Sequence, residues 1–330
     1  MDTPEDVTVR LTRRFGGSVA AWFDALPALA ASLAERWKLE LGAPFLAGNS
    51  SAVFRCVRAD GMPAVLKLSP DLPVVAEQIA TLKLFEPGGR VPAVLNADVN
   101  AGAVLLELIE PGTQVRDLPE PPSATQWAEL MRDLHVATVP PDYPRDLRAQ
   151  CDGFFDRIGR RASSPVRSAD VERGAGRCRE LVATEPARVL LHGDLHLANV
   201  LDGGVSRGLV AIDPRACVGD PCFDAVDYLL DGAGRDGIET RCAALAAVSD
   251  LDESRLLAWC RGVAPVLAII NLRRPGTQQA ITELLEFARS GPAAVPRSVP
   301  IAPGAAPCPC PCPCACQPDI SPYGQVYSIR

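Results

Sequence analysis

The sequence predicts an α+β chain of two lobes, an antiparallel sheet with helices followed by a mostly helical part. Three observations predict it. The stretch "AVFRCVRADGMPAVLKLS", residues 52–69, reads as a hairpin, and apolar residues at helical spacing dominate after residue 122. The run "LLHGDLHLANVL", residues 190–201, holds two of the three histidines, an Asp and an Asn between small apolar strands. A chain of 330 residues also exceeds one ordinary core, which favours two lobes.

The elements follow in order. "AWFDALPALAASLAERWKLE" has helical spacing from Trp22 to Trp37, with an interruption expected at Pro27. Val53, Arg55 and Val57 alternate as a strand, Asp60-Gly61 supplies the turn, and "AVLKLS" returns. "VVAEQIATLKLF" is helical until "EPGG", and "AVLLELIEPG" is a buried strand ended by Pro-Gly. Ser123 is placed to cap the helix carrying Trp127, Leu130, Met131 and Leu134. "RVLLH" and "RGLVAIDP" read as short strands, and "PCFDAVDYLL", "SRLLAWCRGVAPVLAIINL" and "QQAITELLEFA" as helices. The expected division is a lobe over 1–110, a helical lobe over 111–290, and a Pro/Cys-rich disordered tail over 291–330.

Composition narrows the function. With 48% hydrophobic and 22% charged residues the chain is an ordinary globular one, and its net charge of −7 argues against nucleic-acid binding. No apolar run is long enough for a bilayer and the N-terminal residues lack a signal peptide's apolar stretch, so the expected place is the cytoplasm, without a membrane. Of twelve cysteines, the seven from Cys56 to Cys260 have no framework spacing and read as reduced thiols. The other five stand in "PCPCPCPCAC", a low-complexity run for which metal capture is the lesser reading and a shifted reading frame another source. Oligomeric state is not legible.

Asp194 and Asn199 lie five residues apart between strands, and Asp213 closes the following strand. Phosphoryl transfer needs a carboxylate near the acceptor hydroxyl and hard oxygen ligands for a Mg²⁺ that bridges phosphates. These three residues supply that set. Lys67, in the returning hairpin strand, is placed to hold the inner phosphates of a nucleotide, and Glu77 on the next helix to steady it. Glu77 shares a helix side with Val74, Thr81 and Leu84, which suggests that it faces inward. "GNSS", with Ser50 and Ser51, offers N–H groups and hydroxyls for a phosphate loop.

"LLHGDLHLANVL" together with "AIDPRACVGDPCFDAVDYL" resembles the aminoglycoside phosphotransferases of the protein-kinase-like fold, and within them the streptomycin 6-phosphotransferase and hydroxyurea phosphotransferase branch. The N-terminal "AWFDALPALAASLAERWKLE" is similar to that branch too, so the resemblance runs over residues 10–290. It implies ATP and Mg²⁺ as cofactors, Asp194 as catalytic base or acceptor-orienting carboxylate, Asn199 and Asp213 as metal ligands, and Lys67 on the ATP phosphates. It implies a small antibiotic-like acceptor as partner, phosphorylated on oxygen. Two departures stand out: Pro-Arg follows Asp213 where protein kinases have Phe-Gly, and "GNSS" is not their glycine-rich loop.

Other readings stay open. His192 and His196 form an HxxxH pair, but in a loop; His192 reads as a hydrogen-bonding brace and zinc as the lesser alternative. Asp220 before Pro221 reads as a helix N-cap. Asp224 and Asp227 read as exposed helix carboxylates, one of them a possible brace of the catalytic loop. Arg273 and Arg274 are expected near the acceptor mouth, which tilts the acceptor toward neutral hydroxyurea over cationic streptomycin. A nucleotide-binding homologue without catalysis is the remaining alternative.

Overall fold

Helix α1 (Val19–Trp37) runs through Pro27 without a break, where the sequence predicted an interruption. Pro27 is exposed, so the carbonyl that loses its backbone donor sits on the solvent side, where water replaces the bond. The computed structural model describes residues 12, 16–45, 51–231, 237–274 and 276–291. By contacts the chain divides into Met1–Arg297 and Ser298–Arg330; the second unit lies outside the described residues, as does the Pro/Cys-rich run expected to be disordered.

After α1 come β1 (Leu39–Phe45), β2 (Ala52–Arg58), β3 (Pro63–Leu68), helix α2 (Leu72–Phe85), β4 (Val94–Asp98) and β5 (Ala103–Glu107). The strands form one antiparallel sheet in the order β1-β2-β3-β5-β4. The hairpin turn is the expected one: Gly61 has φ 81°, and Asp60 Oδ1 accepts from Met62 N at 3.1 Å. Strands β1 and β4 were not predicted. "LELGAPF" carries Gly and Pro, and the middle three residues of β4 are exposed, so neither shows an apolar alternation.

Alternation along the inner strands decides which way the sheet's side chains point. Ala64, Leu66 and Leu68 of β3, with Ala103 and Leu105 of β5, pack on Ala30 and Leu33 of α1. The opposite face carries Val104 and Leu106 against Val75, Ile79, Leu82 and Phe85, the inward stripe of α2. Lys67 lies between Leu66 and Leu68 and pairs with Val104 in register, so it points to the α2 side. That is the first placement on which the site depends.

The remaining helices are α3 (Ala124–Leu134), α4 (Leu147–Gly159), α5 (Ser168–Ala183), α6 (Gly204–Arg207), α7 (Val226–Leu230), α8 (Ile238–Ala246), α9 (Glu253–Asn271) and α10 (Gln278–Arg289). Ser123 caps α3 in a reciprocal box with Gln126. The long α9 packs against α5 and α10, and buried Asp170 of α5 accepts from Arg289 of α10 at 2.6 Å. Two small antiparallel ladders interrupt the helices: β6 (Val189–Leu191) with β9 (Cys217–Gly219), and β7 (Val200–Asp202) with β8 (Leu209–Ala211). The seven cysteines from Cys56 to Cys260 are free and buried, and burial pushes the Cys217 and Cys222 thiols up. Among the described residues no helix is long and apolar enough to cross a membrane.

Candidate active site

The two small ladders hold the loop between β6 and β7 at both ends. Buried Leu191, His192, Leu195 and Val200 anchor it in the core, while Asp194, His196 and Asn199 between them stay partly open. Its backbone closes on itself, with Asn199 N donating to His196 O at 2.8 Å, and Ile212 N donating to Asn199 O at 2.8 Å. The second bond ties the loop to the end of β8, where Asp213 follows. Arg215 N donates to His192 O at 2.9 Å and ties the next segment back to the loop.

Asp194 keeps 38% of its side-chain surface open. Asn199 Nδ2 donates to Asp194 O at 2.9 Å and approaches Asp194 Oδ2 at 3.4 Å, which turns the amide oxygen of Asn199 away from the carboxylate. Asp213 has φ 56°, a left-handed conformation rare for a non-glycine residue. Its Oδ1 accepts from Lys67 Nζ and, at 2.7 Å, from Gln78 Nε2. Burial pushes the Asp213 carboxyl up, but the Lys67 charge and hydrogen bond, together with Gln78, outweigh it and hold the group below its ordinary value. Nevertheless 47% of the Asp213 side chain faces open space. The fold therefore brings Lys67 to Asp213, and Asn199 to Asp194.

The expected partnership of Glu77 with Lys67 is corrected. Glu77 pairs with Arg145 at 2.7 Å, and among the described residues no ion pair joins it to Lys67. The reason is helical phase: Gln78 lies on the buried line of Val75, Ile79 and Leu82, whereas Glu77, one position round beside exposed Val74, keeps 34% of its side chain open and reaches Arg145. Gln78 thus occupies the inward position, and an amide there supports Asp213 without adding a charge. Ser51 is buried at the start of β2, and Ser50 lies outside the described residues.

The histidines and the two aspartates that flank Pro221, Asp220 and Asp224, also find their places. His192 Nε2 donates to Ile212 O at 3.0 Å while its buried Nδ1 has no partner among the described residues. Burial pushes the ring's pKa down, so it stays neutral with the proton on Nε2. His196 Nδ1 accepts from Ala198 N. Asp224, read from the sequence as an exposed carboxylate by default, is fully buried: it accepts from His192 N at 2.8 Å, Gly193 N at 2.9 Å, and faces His135 Nε2 at 3.0 Å. It is the brace of the loop. Asp220 caps the turn at Pro221 as expected, and it also accepts from Arg255 and Trp259 of α9.

Three functional positions were missed by the sequence reading: Gln78, Gln150 and Arg215. Gln150 Nε2 donates to Gly193 O. Gln78 could have been found from the apolar stripe of α2; Gln150 and Arg215 carry no sequence signal. Arg274 bonds locally to Asn271 Oδ1 at 3.5 Å, and among the described residues no hydrogen bond or ion pair links the exposed Arg273–Arg274 pair to Asp194. The arginine that stands beside Asp194 is Arg215, its Nε 3.8 Å from Asp194 Oδ2.

A sequence profile of the aminoglycoside/hydroxyurea antibiotic resistance kinases matches residues 36–273, the whole span from β1 to the end of α9. The chain belongs to that family. Such a kinase is a phosphotransferase, and the loop between β6 and β7 lies within the matched span. The family member from Kitasatospora aureofaciens named hydroxyurea phosphotransferase is 33% identical over 263 residues, 77% of this chain and 76% of that one. A streptomycin 6-kinase of Streptomyces glaucescens is 30% identical over 276 residues, covering 79% and 88%. The fold is that of an aminoglycoside phosphotransferase solved as a ternary complex with ADP and hygromycin B. That structure aligns with a TM-score of 0.59 at 17% identity, covering 79% of this kinase and 98% of that chain. A choline/ethanolamine kinase family protein from Mesorhizobium loti aligns with a TM-score of 0.57 at 19% identity, covering 76% and 89%.

Proposed function

We propose that this kinase transfers the γ-phosphoryl group of ATP to the hydroxyl of a small antibiotic-like acceptor, with hydroxyurea as the preferred one. The observation that carries the reading is a partly open carboxylate, Asp194, held beside Asn199 while Lys67 and Asp213 meet across the cleft. In this reading residues 1–110 hold the nucleotide, with Lys67 on its inner phosphates and Ser50 and Ser51 in the phosphate loop. Residues 111–290 carry the catalytic loop and the acceptor. Asp194 orients the acceptor O–H and takes its proton as the oxygen bonds to the γ-phosphorus. The bond from that phosphorus to the β–γ bridging oxygen breaks, and ADP leaves. Gln78 keeps Asp213 aimed when Lys67 turns to the phosphates.

The donor set fits Mg²⁺. Asp213 has a second carboxylate oxygen beyond the one bonded by Lys67 and Gln78, and Asn199 presents its amide oxygen once Nδ2 is spent on Asp194. Both are hard oxygens suited to that ion. Bound there, Mg²⁺ would offset the charge of the phosphates.

The identity to the hydroxyurea enzyme favours that acceptor, and the 30% identity to a streptomycin 6-kinase keeps streptomycin as the second reading. Presence of Lys67, Asp194, Asn199 and Asp213 together weighs against a non-catalytic homologue. The test is ADP release with Mg²⁺ and each compound at low and moderate ionic strength. Hydroxyurea turnover with a KM indifferent to salt is expected, since a neutral molecule gains little from the protein's field. Salt-sensitive turnover of streptomycin alone would replace the acceptor, and no turnover of any compound would remove the reaction.

A further inference from the structure

We infer that Arg215 sets the charge preference of the acceptor site, its guanidinium admitting neutral acceptors at Asp194 and disfavouring cationic ones. The inference rests on the acceptor-site reading above and adds a residue to it.

The backbone fixes where this side chain goes. Arg215 N is bonded to His192 O at 2.9 Å. The Arg215 carbonyl packs against Gly193 so closely that a Cβ there would lie 2.4 Å from its oxygen, and Gly193 has φ 76°. Gly193 is therefore both the left-handed residue of the loop and the space into which the Arg215 backbone fits. With its backbone seated against residues 192 and 193, Arg215 carries its side chain over residue 194. Nε stands 3.8 Å from Asp194 Oδ2, and 54% of the side chain remains open. An arginine is charged at every working pH, so the cation is permanent.

Among the described residues, the other charges around Asp194 do not restore an acidic wall. Asp213 is matched by Lys67 here and would be matched by Mg²⁺ once Lys67 turns to the phosphates, and Asp224 is spent on His192 N, Gly193 N and His135. Asp227, on α7, is pushed up to about 7 by burial first and then by Asp194, Asp231 and Asp224, so near neutrality it carries a fraction of its charge. Asp231, at the end of α7, is half-buried and is the remaining carboxylate of this group. A polycation approaching the Asp194 carboxylate is therefore repelled by a fixed positive charge at short range, whereas a neutral N–OH or C–OH compound is not.

The test is calorimetric titration of the full chain, in excess MgADP, with streptomycin as the cation and hydroxyurea as the neutral probe. Parent, Arg215→Gln and Arg215→Lys are compared at low and high salt. The expected result is streptomycin affinity at least roughly tenfold higher in Arg215→Gln at low salt, shrinking at high salt as the field is screened. Arg215→Lys, which keeps the charge, should stay near the parent, and hydroxyurea affinity should move less than streptomycin affinity. Streptomycin affinity that is unchanged, reduced or undetectable in Arg215→Gln overturns the inference. Equal shifts for both probes also overturn it, because they would mean that Arg215 merely positions Asp194. Since the readout is binding, failure of the kinase reaction itself would show separately, as absent ADP release in the parent.

Discussion

Four of the five aspartates between residues 194 and 224 sort into two kinds. Asp220 and Asp224 have no side-chain surface exposed, whereas Asp194 and Asp213 keep 38% and 47% of theirs. The buried pair is fully occupied: Asp220 holds Cys222 N, Arg255 and Trp259, and Asp224 holds two backbone N–H groups and His135. The open pair has oxygens to spare. A buried carboxylate survives in the native state only when its lone pairs are matched, so its partners report architecture. One left partly unmatched in a cleft is available to a ligand. Even the interactions of Asp224 serve the open pair, because its two N–H donors belong to the residues just before Asp194.

The comparison is sharpest if the two kinds fail differently. Asp194→Asn should lower turnover roughly 10²- to 10⁴-fold while leaving melting temperature and nucleotide affinity close to the parent's. Steady-state kinetics beside nucleotide titration checks this, and near-normal turnover would break the distinction. Asp220→Ala should do the reverse, unfolding more easily by about 3–5 kcal/mol because Arg255 is left as an uncompensated buried charge. Urea denaturation reads that loss, and a variant as stable as the parent would show the carboxylate to be dispensable.

Asp227 supplies the smallest effect and an intermediate case. Its carboxyl is raised to about 7 in the folded protein, with burial as the main cause, against roughly 4 in an unfolded chain. Between those values the folded protein holds a proton that the unfolded chain has released, so stability falls as pH rises through this window. Above 7 the penalty is complete, and at pH 4 it is absent. Asp227→Asn should accordingly raise stability at pH 8 by about 1–2 kcal/mol, allowing for partial exposure, and change little at pH 4. Melting curves of both proteins at the two pH values check the sign.

Much of this was legible in the chain's local patterns. Alternation gave β2, the turn at Asp60-Gly61 gave the return into β3, an apolar run ended by Pro-Gly gave β5, and Ser123 marked the start of α3. The run from His192 to Asn199 named Asp194 because short-range polar residues between buried anchors are visible without a fold. Strands β1 and β4 were not visible, since partners across the sheet, and not their own sequence, make them strands.

What the sequence determined by itself is the set of reactive types and their order: Lys67 on an inner strand, Asp194 and Asn199 in one loop, Asp213 at the end of the next strand. What only the tertiary structure decided is which of the neighbours serve them. Glu77 and Gln78 differ by one residue, and about 100° of helical rotation sends the carboxylate to Arg145 and the amide to Asp213. Arg273, Arg274 and Arg215 are equally basic on paper, yet Arg215 alone is carried to Asp194, by a carbonyl seated on Gly193. Local propensity acts over a few residues and sets identity and spacing. Partnership is fixed by contacts between segments as much as 146 residues apart, such as Lys67 and Asp213, and those contacts exist only once the cores have closed.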